Sequence, residues 1–434
     1  MNAGEKDRRS ETAREIACRI LGKWIQRGDF PDRETGAVGQ HRGFVTEVVF
    51  GVCRRLRTLR FFLEMLAPRR PTVPVEAVLL VALYEMFFLD DAEEFAVVHE
   101  AVETARRVGG AKSTGFVNAV LRRAQREREK LFGALEAAPP GIRMSHPDEL
   151  LGRWRKHFGA EKTVALCEYD NTRPVTVIHV FPGCLAALRE TLPELVPHPA
   201  RPDDCFIAPR GMPPEKIPGY DEGWFVVQDP STLSAVDLLA PQTGEIILDA
   251  CAAPGGKAAA IFGRMCANGP ASGFSGRLVA LDKHSDRLVR LRENFARLNM
   301  GPATVDKADA ADEQSLRAAL GRAGTESVDA ILLDVPCSNT GVLSRRADAR
   351  WRFSETRLGE LVAVQARILA AASGFVRPGG RMVYSTCSLE PEENARQVEH
   401  FLGTHPDFSF AGERVSLPPG SKMDGAYAAL LTRR

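Results

Sequence analysis

The chain has 434 residues, 44% of them hydrophobic and 26% charged, with a formal net charge of +1. That length exceeds one ordinary core and asks for two or three domains, and the apolar content excludes a largely disordered chain. The near-neutral total says little about partners, but arginines gather in "CRRLRTLR", "APRR", "LRRAQREREK" and "SRRADARWR", and local basic patches rather than net charge attract polyanions. Some of these arginines are expected simply to solvate helix faces.

The N-terminal "MNAGEKDRRSETAREIACRI" has no apolar core of signal-peptide length and is too acidic for a transit peptide. The longest apolar stretch, Val75 to Leu89, contains Glu76 and Glu85 and falls short of the roughly 20 residues that a spanning helix needs. A cytoplasmic protein, away from membranes and monomeric, is expected. Nine cysteines without a CxxC pair provide neither a disulfide framework nor a zinc-ligand spacing, and no histidine has a partner at ligand spacing. No metal site is expected, and Cys18, Cys53, Cys167 and Cys266 read as reduced core residues.

From about Thr12 to Arg128 apolar residues recur at three and four, as in "AREIACRILGKWI", "VEAVLLVALYEMFFL" and "VVHEAVETARRV", which predicts an all-helical domain over residues 1–139. "LEAAPPGIRMSHPDEL", rich in proline, reads as a linker with a boundary near Pro139. Residues 140–223 hold a helix in "HPDELLGRWRKHFG", a strand in "TRPVTVIHVF" and then loop-rich sequence, a small α+β subdomain. Residues 224–434 alternate apolar strands ("EIILDA", "GRLVALD", "ATVDKAD", "VDAILLDV", "GGRMVYST") with helical stretches. This predicts an α/β fold with a mostly parallel, doubly wound, Rossmann-like sheet.

Ligands of such sheets bind beyond the C-terminal strand ends. The first end supplies "LDACAAPGGK", where Gly255 and Gly256 allow close backbone approach at a helix start. Lys257 there is either ligand-facing or a solvated residue of the helix's first turn. The second supplies Asp282, about 25 residues past the glycines, where an acidic residue suits the hydroxyls of a ribose. Without a GxGxxG spacing, a nicotinamide cofactor is not favoured. Asp309 follows the third strand. The fourth and fifth supply "LLDVPCSNTGV" and "YSTCSLEPEEN", each ending an apolar run in a cysteine, Cys337 and Cys387. A nucleoside-bearing ligand beside two thiols is the constellation that these strand ends make.

"DACAAPGGK", "LLDVPCSNTGV" and "YSTCSLEPEEN" resemble the motifs of S-adenosylmethionine-dependent RNA cytosine-C5 methyltransferases, and "VLLVALYEMFFL" with "GFVNAVLRR" is similar to the NusB-like RNA-binding domain. Together they resemble, over nearly the whole chain, the bacterial 16S ribosomal RNA methyltransferases of the RsmB/Sun/Fmu family. The resemblance implies S-adenosylmethionine as cofactor and ribosomal RNA as partner. It implies that Cys251, Ala252, Ala253, Pro254, Gly255, Gly256 and Lys257 line the methionine end of the cofactor. Asp282 would hold the ribose and Asp309 meet the adenine. Asp334, also counted with the cofactor site, would contact the cytosine, with Lys257 in the catalytic set. Cys387 would be the nucleophile and Cys337 would assist product release. "VTVIHVF" and Ala426 depart from the family's usual strand and large aromatic. An RNA-binding factor with an inactive methyltransferase fold, or a transfer-RNA or DNA cytosine methyltransferase, is the alternative.

Overall fold

The helical region opens on a reciprocal cap: the Thr12 hydroxyl accepts the Glu15 amide at 3.3 Å and the Glu15 carboxylate accepts the Thr12 amide at 2.8 Å, satisfying two amides that a helix start leaves without partners. The computed structural model describes residues 11–36, 38–90, 92–266 and 274–434. They divide into two compact units, 1–173 with 343–352, and 174–342 with 353–434.

The first unit holds α1 (Ala13–Arg27), α2 (Pro31–Thr35), α3 (Arg42–Leu66), α4 (Val73–Phe88), α5 (Glu94–Gly109), α6 (Ala111–Arg126), α7 (Arg128–Glu136), α8 (Pro140–Arg143), α9 (Asp148–Phe158) and α10 (Ala160–Asp170). α4 is apolar nearly all round and sits at the centre, Ala77 to Leu83 being almost wholly buried. Its two carboxylates are paired rather than bare: Glu85 takes Arg14 at 2.7 Å and Glu76 takes Arg60 at 2.8 Å.

The boundary expected near Pro139 falls inside this unit. Thr58 donates to the Ile142 carbonyl at 2.7 Å, Arg57 reaches the His146 carbonyl and Asp148, and Ser145 and His146 are fully buried. Proline-rich sequence here starts a short packed helix, since proline is tolerated in a helix's first turn.

Residues 343–352 belong to the same unit, and this explains the arginine-rich run after Cys337. Arg350 is completely buried and donates to the carbonyls of Arg54, Ser145 and Asp170 and to Asn171 Oδ1. Trp351 Nε1 donates to the Cys53 carbonyl at 2.7 Å, Arg54 donates to the Ser344 carbonyl at 3.1 Å, and Ala347 lies in the helical core.

The second unit carries an antiparallel sheet, β1 (Val177–Val180), β2 (Val196–His198), β3 (Arg201–Ile207) and β4 (Phe225–Val227), in order β2-β3-β1-β4, with α11 (Leu185–Thr191). Next come α12 (Leu233–Leu239), β5 (Ile246–Asp249), α13 (Gly256–Met265), β6 (Arg277–Asp282), α14 (Ser285–Arg297), β7 (Thr304–Lys307), α15 (Glu313–Arg322) and β8 (Val328–Asp334). The unit ends with α16 (Glu355–Ser373), β9 (Val376–Thr386), α17 (Ala395–Thr404), β10 (Phe408–Ser416) and β11 (Ala426–Arg433). The large sheet runs β10-β11-β9-β8-β5-β6-β7, with β9 through β7 parallel and β10 and β11 antiparallel. Alternate residues of each strand feed opposite faces: Ile247, Leu278 and Leu332 pack with α12, α13 and α14, while Leu248, Val279 and Leu333 pack with α15, α16 and α17.

Candidate active site

From β5 the chain adds β6 and β7 on one side and returns with β8 on the other, so a crevice opens beyond the C-terminal ends where β5 and β8 part. Asp249, Asp282, Asp334 and Thr386 are the last residues of β5, β6, β8 and β9. The strand register thus delivers one polar group per strand to one edge of the sheet.

At the β8 and β9 ends the two sulfurs meet. Cys337 Sγ and Cys387 Sγ lie 3.2 Å apart, and Asn339 bridges the two residues, its Oδ1 3.3 Å from Cys387 Sγ and its Nδ2 donating to the Cys337 carbonyl at 2.9 Å. Gly341 joins the same junction, donating to the Cys387 carbonyl at 2.9 Å and accepting the Gly425 amide at 2.7 Å. A Cβ at 341 would stand 2.6 Å from the Gly425 carbonyl oxygen, so only glycine fits. Cys337 is 9% exposed and Cys387 is half-buried. The hydrogen bond with Cys387, then burial, then the charges of Cys387 and Glu393 hold the Cys337 thiol well above its ordinary range.

Lys257, the second residue of α13, pairs with Asp334 at 2.7 Å between Nζ and Oδ2, and Ser385 donates to the other Asp334 oxygen at 3.1 Å. Burial disfavours the ammonium, but Asp334 outweighs it, aided by Cys387 and Asp249, and Lys257 is held above its ordinary value. Lys257 is thus an ion-paired residue with little exposure, 14% of its side chain.

The Ala253–Pro254 peptide is cis, and Asn294 Nδ2 holds the Pro254 carbonyl at 2.8 Å. Gly255 has φ +112°, a conformation L side chains rarely adopt, and a Cβ there would meet Leu291 at 2.8 Å. Asp282 accepts the His284 amide at 2.8 Å, and Asp309 pairs with Lys283 at 2.6 Å. Burial pushes Asp309 up, but the Lys283 bond, the Ala311 amide and the Lys283 charge overcome it and keep the carboxyl low.

Three residues that matter here were absent from the sequence reading. Asp249 is 1% exposed and neither of its carboxylate oxygens has a full hydrogen-bond partner among the described residues; the same holds for Oε1 of Gln228, which is 8% exposed. Gln228 lies against Gly256, its side-chain amide about 3.6 Å from where a Cβ would stand. Burial, then the charge of Asp334, against the pull of Lys257 and the Cys251 amide, raises Asp249 to about 7. Bare buried acceptors are costly unless a ligand donates to them. An acceptor set with a glycine beside it fits a ligand bearing an ammonium group, such as the methionine end of S-adenosylmethionine. Asn339 is the third. The only sequence signal for Asp249 was its place as the last residue before "ACAAPGGK".

Most of the clustered arginines are engaged inside their own unit. Arg57 is bound to Asp148, Arg60 and Arg70 to Glu76, Arg123 to Glu127 and Arg128 to Glu94. Lys112, Arg126, Arg155 and Lys156 are exposed.

The family model for the 16S rRNA methyltransferase RsmB/F matches residues 236–431, and the NusB family model matches residues 11–126. Ribosomal RNA small subunit methyltransferase B of Citrobacter koseri is 32% identical, over 98% of this chain and 100% of that protein. Among solved structures, PH0851 superposes with TM-score 0.75 at 22% identity, over 98% of this chain and 100% of that one. NSun6 from Pyrococcus horikoshii with SFG superposes with TM-score 0.56 at 19% identity, over 66% and 98%; both likenesses concern the fold. With full-length identity at this level, and with both family models matching in order, the chain belongs to the ribosomal RNA small subunit methyltransferase B family, an RsmB/F-type methyltransferase domain preceded by a NusB-family domain.

Proposed function

We propose that this family member methylates C5 of a cytosine in 16S ribosomal RNA, with Cys387 as nucleophile and Cys337 assisting release. The observation that carries this reading is the pair of sulfurs 3.2 Å apart, one buried and one half-buried, beside the Lys257–Asp334 pair. S-adenosylmethionine, when bound, supplies an electrophilic methyl group. Asp249 and Gln228 suit its ammonium, Gly255 and Gly256 with Cys251 to Lys257 its methionine end, Asp282 its ribose and Asp309 its adenine. Cys387 gives its proton to solvent and adds to C6 as the thiolate, and the C5=C6 electron pair this displaces makes C5 nucleophilic. Asp334 bonds the base, and Lys257 holds positive charge beside Asp334.

After methylation the C5 proton passes to solvent, its electron pair restores the C5=C6 double bond, and the C6–S bond breaks toward Cys387. Cys337, held as a thiol in contact with that sulfur, donates to it as it departs. Removing the extruded base from its stack also positions it, and this geometric contribution exceeds what thiol activation alone supplies.

The NusB-family unit contributes RNA binding through its exposed basic residues, and the chain acts as a monomer. Bisulfite sequencing of 16S ribosomal RNA incubated with the protein and S-adenosylmethionine should reveal one or a few protected cytosines, absent with Cys387→Ala. Protection confined to transfer RNA would instead favour the alternative substrate, and binding of cofactor and RNA with no protection anywhere would favour an inactive factor.

A further inference from the structure

Behind the thiol pair lies a carboxylate with no place in the reaction described so far. Glu393 is completely unexposed. It accepts the Ser338 amide on Oε1 at 2.9 Å, the Ser338 hydroxyl on Oε2 and Gln365 Nε2 on Oε1 at 2.9 Å. Gln365, on α16, also donates to the Pro336 carbonyl at 3.0 Å. The peptide on each side of Cys337 is therefore held, one by Glu393 directly and the other through Gln365.

The same residue is tied to the Cys387 side. The Tyr384 hydroxyl donates to the Glu393 carbonyl at 2.6 Å. The neighbouring Asn394 accepts the Thr386 hydroxyl at 2.6 Å and donates to the Ser388 carbonyl at 2.9 Å. We propose that Glu393 is a positioning residue of the thiol pair: its carboxylate holds the Cys337 loop and α16, its main-chain carbonyl holds Tyr384 of the strand that leads to Cys387, and it sets Cys337 at donating distance from Cys387. This rests on the roles assigned above to the two cysteines.

A carboxylate suits this place better than a neutral amide. Every side-chain contact of its two oxygens can be supplied by a donor, as an ionised carboxylate requires. Burial pushes Glu393 up, and the Ser338, Ser388 and Gln365 donors pull against that. Its charge also helps to hold the Cys337 thiol protonated, together with Cys387 and burial. The titratable groups acting on Cys337 are Cys387 and Glu393; Tyr384 feels Cys337 and Glu393 in turn, and Lys257, paired with Asp334, faces Cys387. Removing the Glu393 charge thus lowers the Cys337 pKa, and release, which needs the thiol, should fail at lower pH than in the wild type.

Glu393→Gln tests this in the full-length protein, because it keeps the shape and removes the charge. With 16S RNA and S-adenosylmethionine, turnover should fall about 10-fold or more, a part of the roughly 100- to 10,000-fold that a positioned acid-base group supplies. Covalent enzyme–RNA species should accumulate on denaturing gels, and the alkaline limb of the pH profile should move to lower pH. Cofactor affinity by calorimetry should stay within about twofold, since Glu393 contacts no group assigned to the cofactor. Unshifted alkaline inactivation and no accumulated adduct in a variant that binds cofactor normally would overturn the proposal. If Glu393→Gln binds no cofactor, Ser338→Ala, which keeps the charge and removes the hydroxyl contact, is judged by adduct accumulation: none in a variant that binds cofactor normally would overturn the proposal. Failure of the underlying reading shows separately, as Cys337→Ala accumulating no adduct.

Discussion

Cys337 and Cys387 each follow an apolar strand and enter a short polar turn, and in the sequence they are nearly interchangeable. In the fold they are not. Cys337 is packed away, with the peptides flanking it bound by Gln365 and Glu393, and is kept as a thiol. Cys387 is half-buried, shares Asn339 with Cys337 and acts electrostatically on Lys257. The difference arises from neighbours brought in by other elements, Lys257 from α13 and Glu393 from just before α17, rather than from local sequence. Two like residues acquire unlike surroundings because burial and neighbouring groups are set by the fold and not by residue type.

The strongest way to break this comparison is to remove each sulfur in turn. Cys387→Ala should abolish turnover and every covalent enzyme–RNA species, whereas Cys337→Ala should let the adduct form and accumulate, both read on denaturing gels with RNA and S-adenosylmethionine. A reversed pattern would exchange the two roles. Next in size, Lys257→Met removes the cation that acts on Cys387 and leaves Asp334 with only the Ser385 hydroxyl. Single-turnover methylation should slow by about 100-fold or more, the scale of a lost preorganised charge in a catalytic site, with Cys337-dependent release unaffected. Equal slowing of both steps would show that the lysine does not distinguish the thiols.

Asp249→Asn sharpens the comparison by separating stability from binding. A carboxyl raised to about 7 in the folded chain favours folding below its ordinary value near 3.8, and that contribution is lost as pH rises through about 7. Above that pH the charged group opposes folding, by at most about 4 kcal/mol. Asp249→Asn should therefore stabilise the protein in denaturant titrations at pH 8 and abolish that pH dependence, while weakening S-adenosylmethionine binding. The smallest effect expected is that of Asp282→Ala, a loss of roughly 1 to 3 kcal/mol in cofactor affinity by calorimetry, as for hydrogen bonds involving a charged group. The adduct patterns of the cysteine variants should survive it at saturating cofactor; an altered pattern would mean that Asp282 reaches the chemistry itself.

Much of the fold was legible because period is a local property. Spacing of three and four marked the helices around α4, and short apolar runs marked β5 to β9. β10 and β11 were passed over: β10 exposes Phe410 and Val415 and breaks register between Phe410 and Gly412, so its pattern does not alternate cleanly. Ala426, noted for its small side chain, opens β11 opposite Ser416. "LEAAPPGIRMSHPDEL" looked like a linker because proline and glycine interrupt it, yet Arg57 and Thr58 of α3 bind its carbonyls. "SRRADARWR" reads as a local basic patch open to polyanions, but Arg350 is fully buried with carbonyls around it. Composition cannot tell a charge that meets water from one that meets backbone carbonyls.

By itself the sequence determined the strand ends and the residue types they carry: Asp249, Asp282, Asp334, Cys337 and Cys387 follow apolar runs, and in a parallel sheet all such ends share one edge. It determined that glycine stands at 255, where a positive φ requires it. Only the tertiary structure decided which of these groups touch, since the partners lie far apart in the chain: Lys257 with Asp334, Cys337 with Cys387, Ser338 with Glu393. Protonation followed from those contacts. Desolvation and Coulomb interactions depend on distance in space, which the order of residues along the chain does not contain.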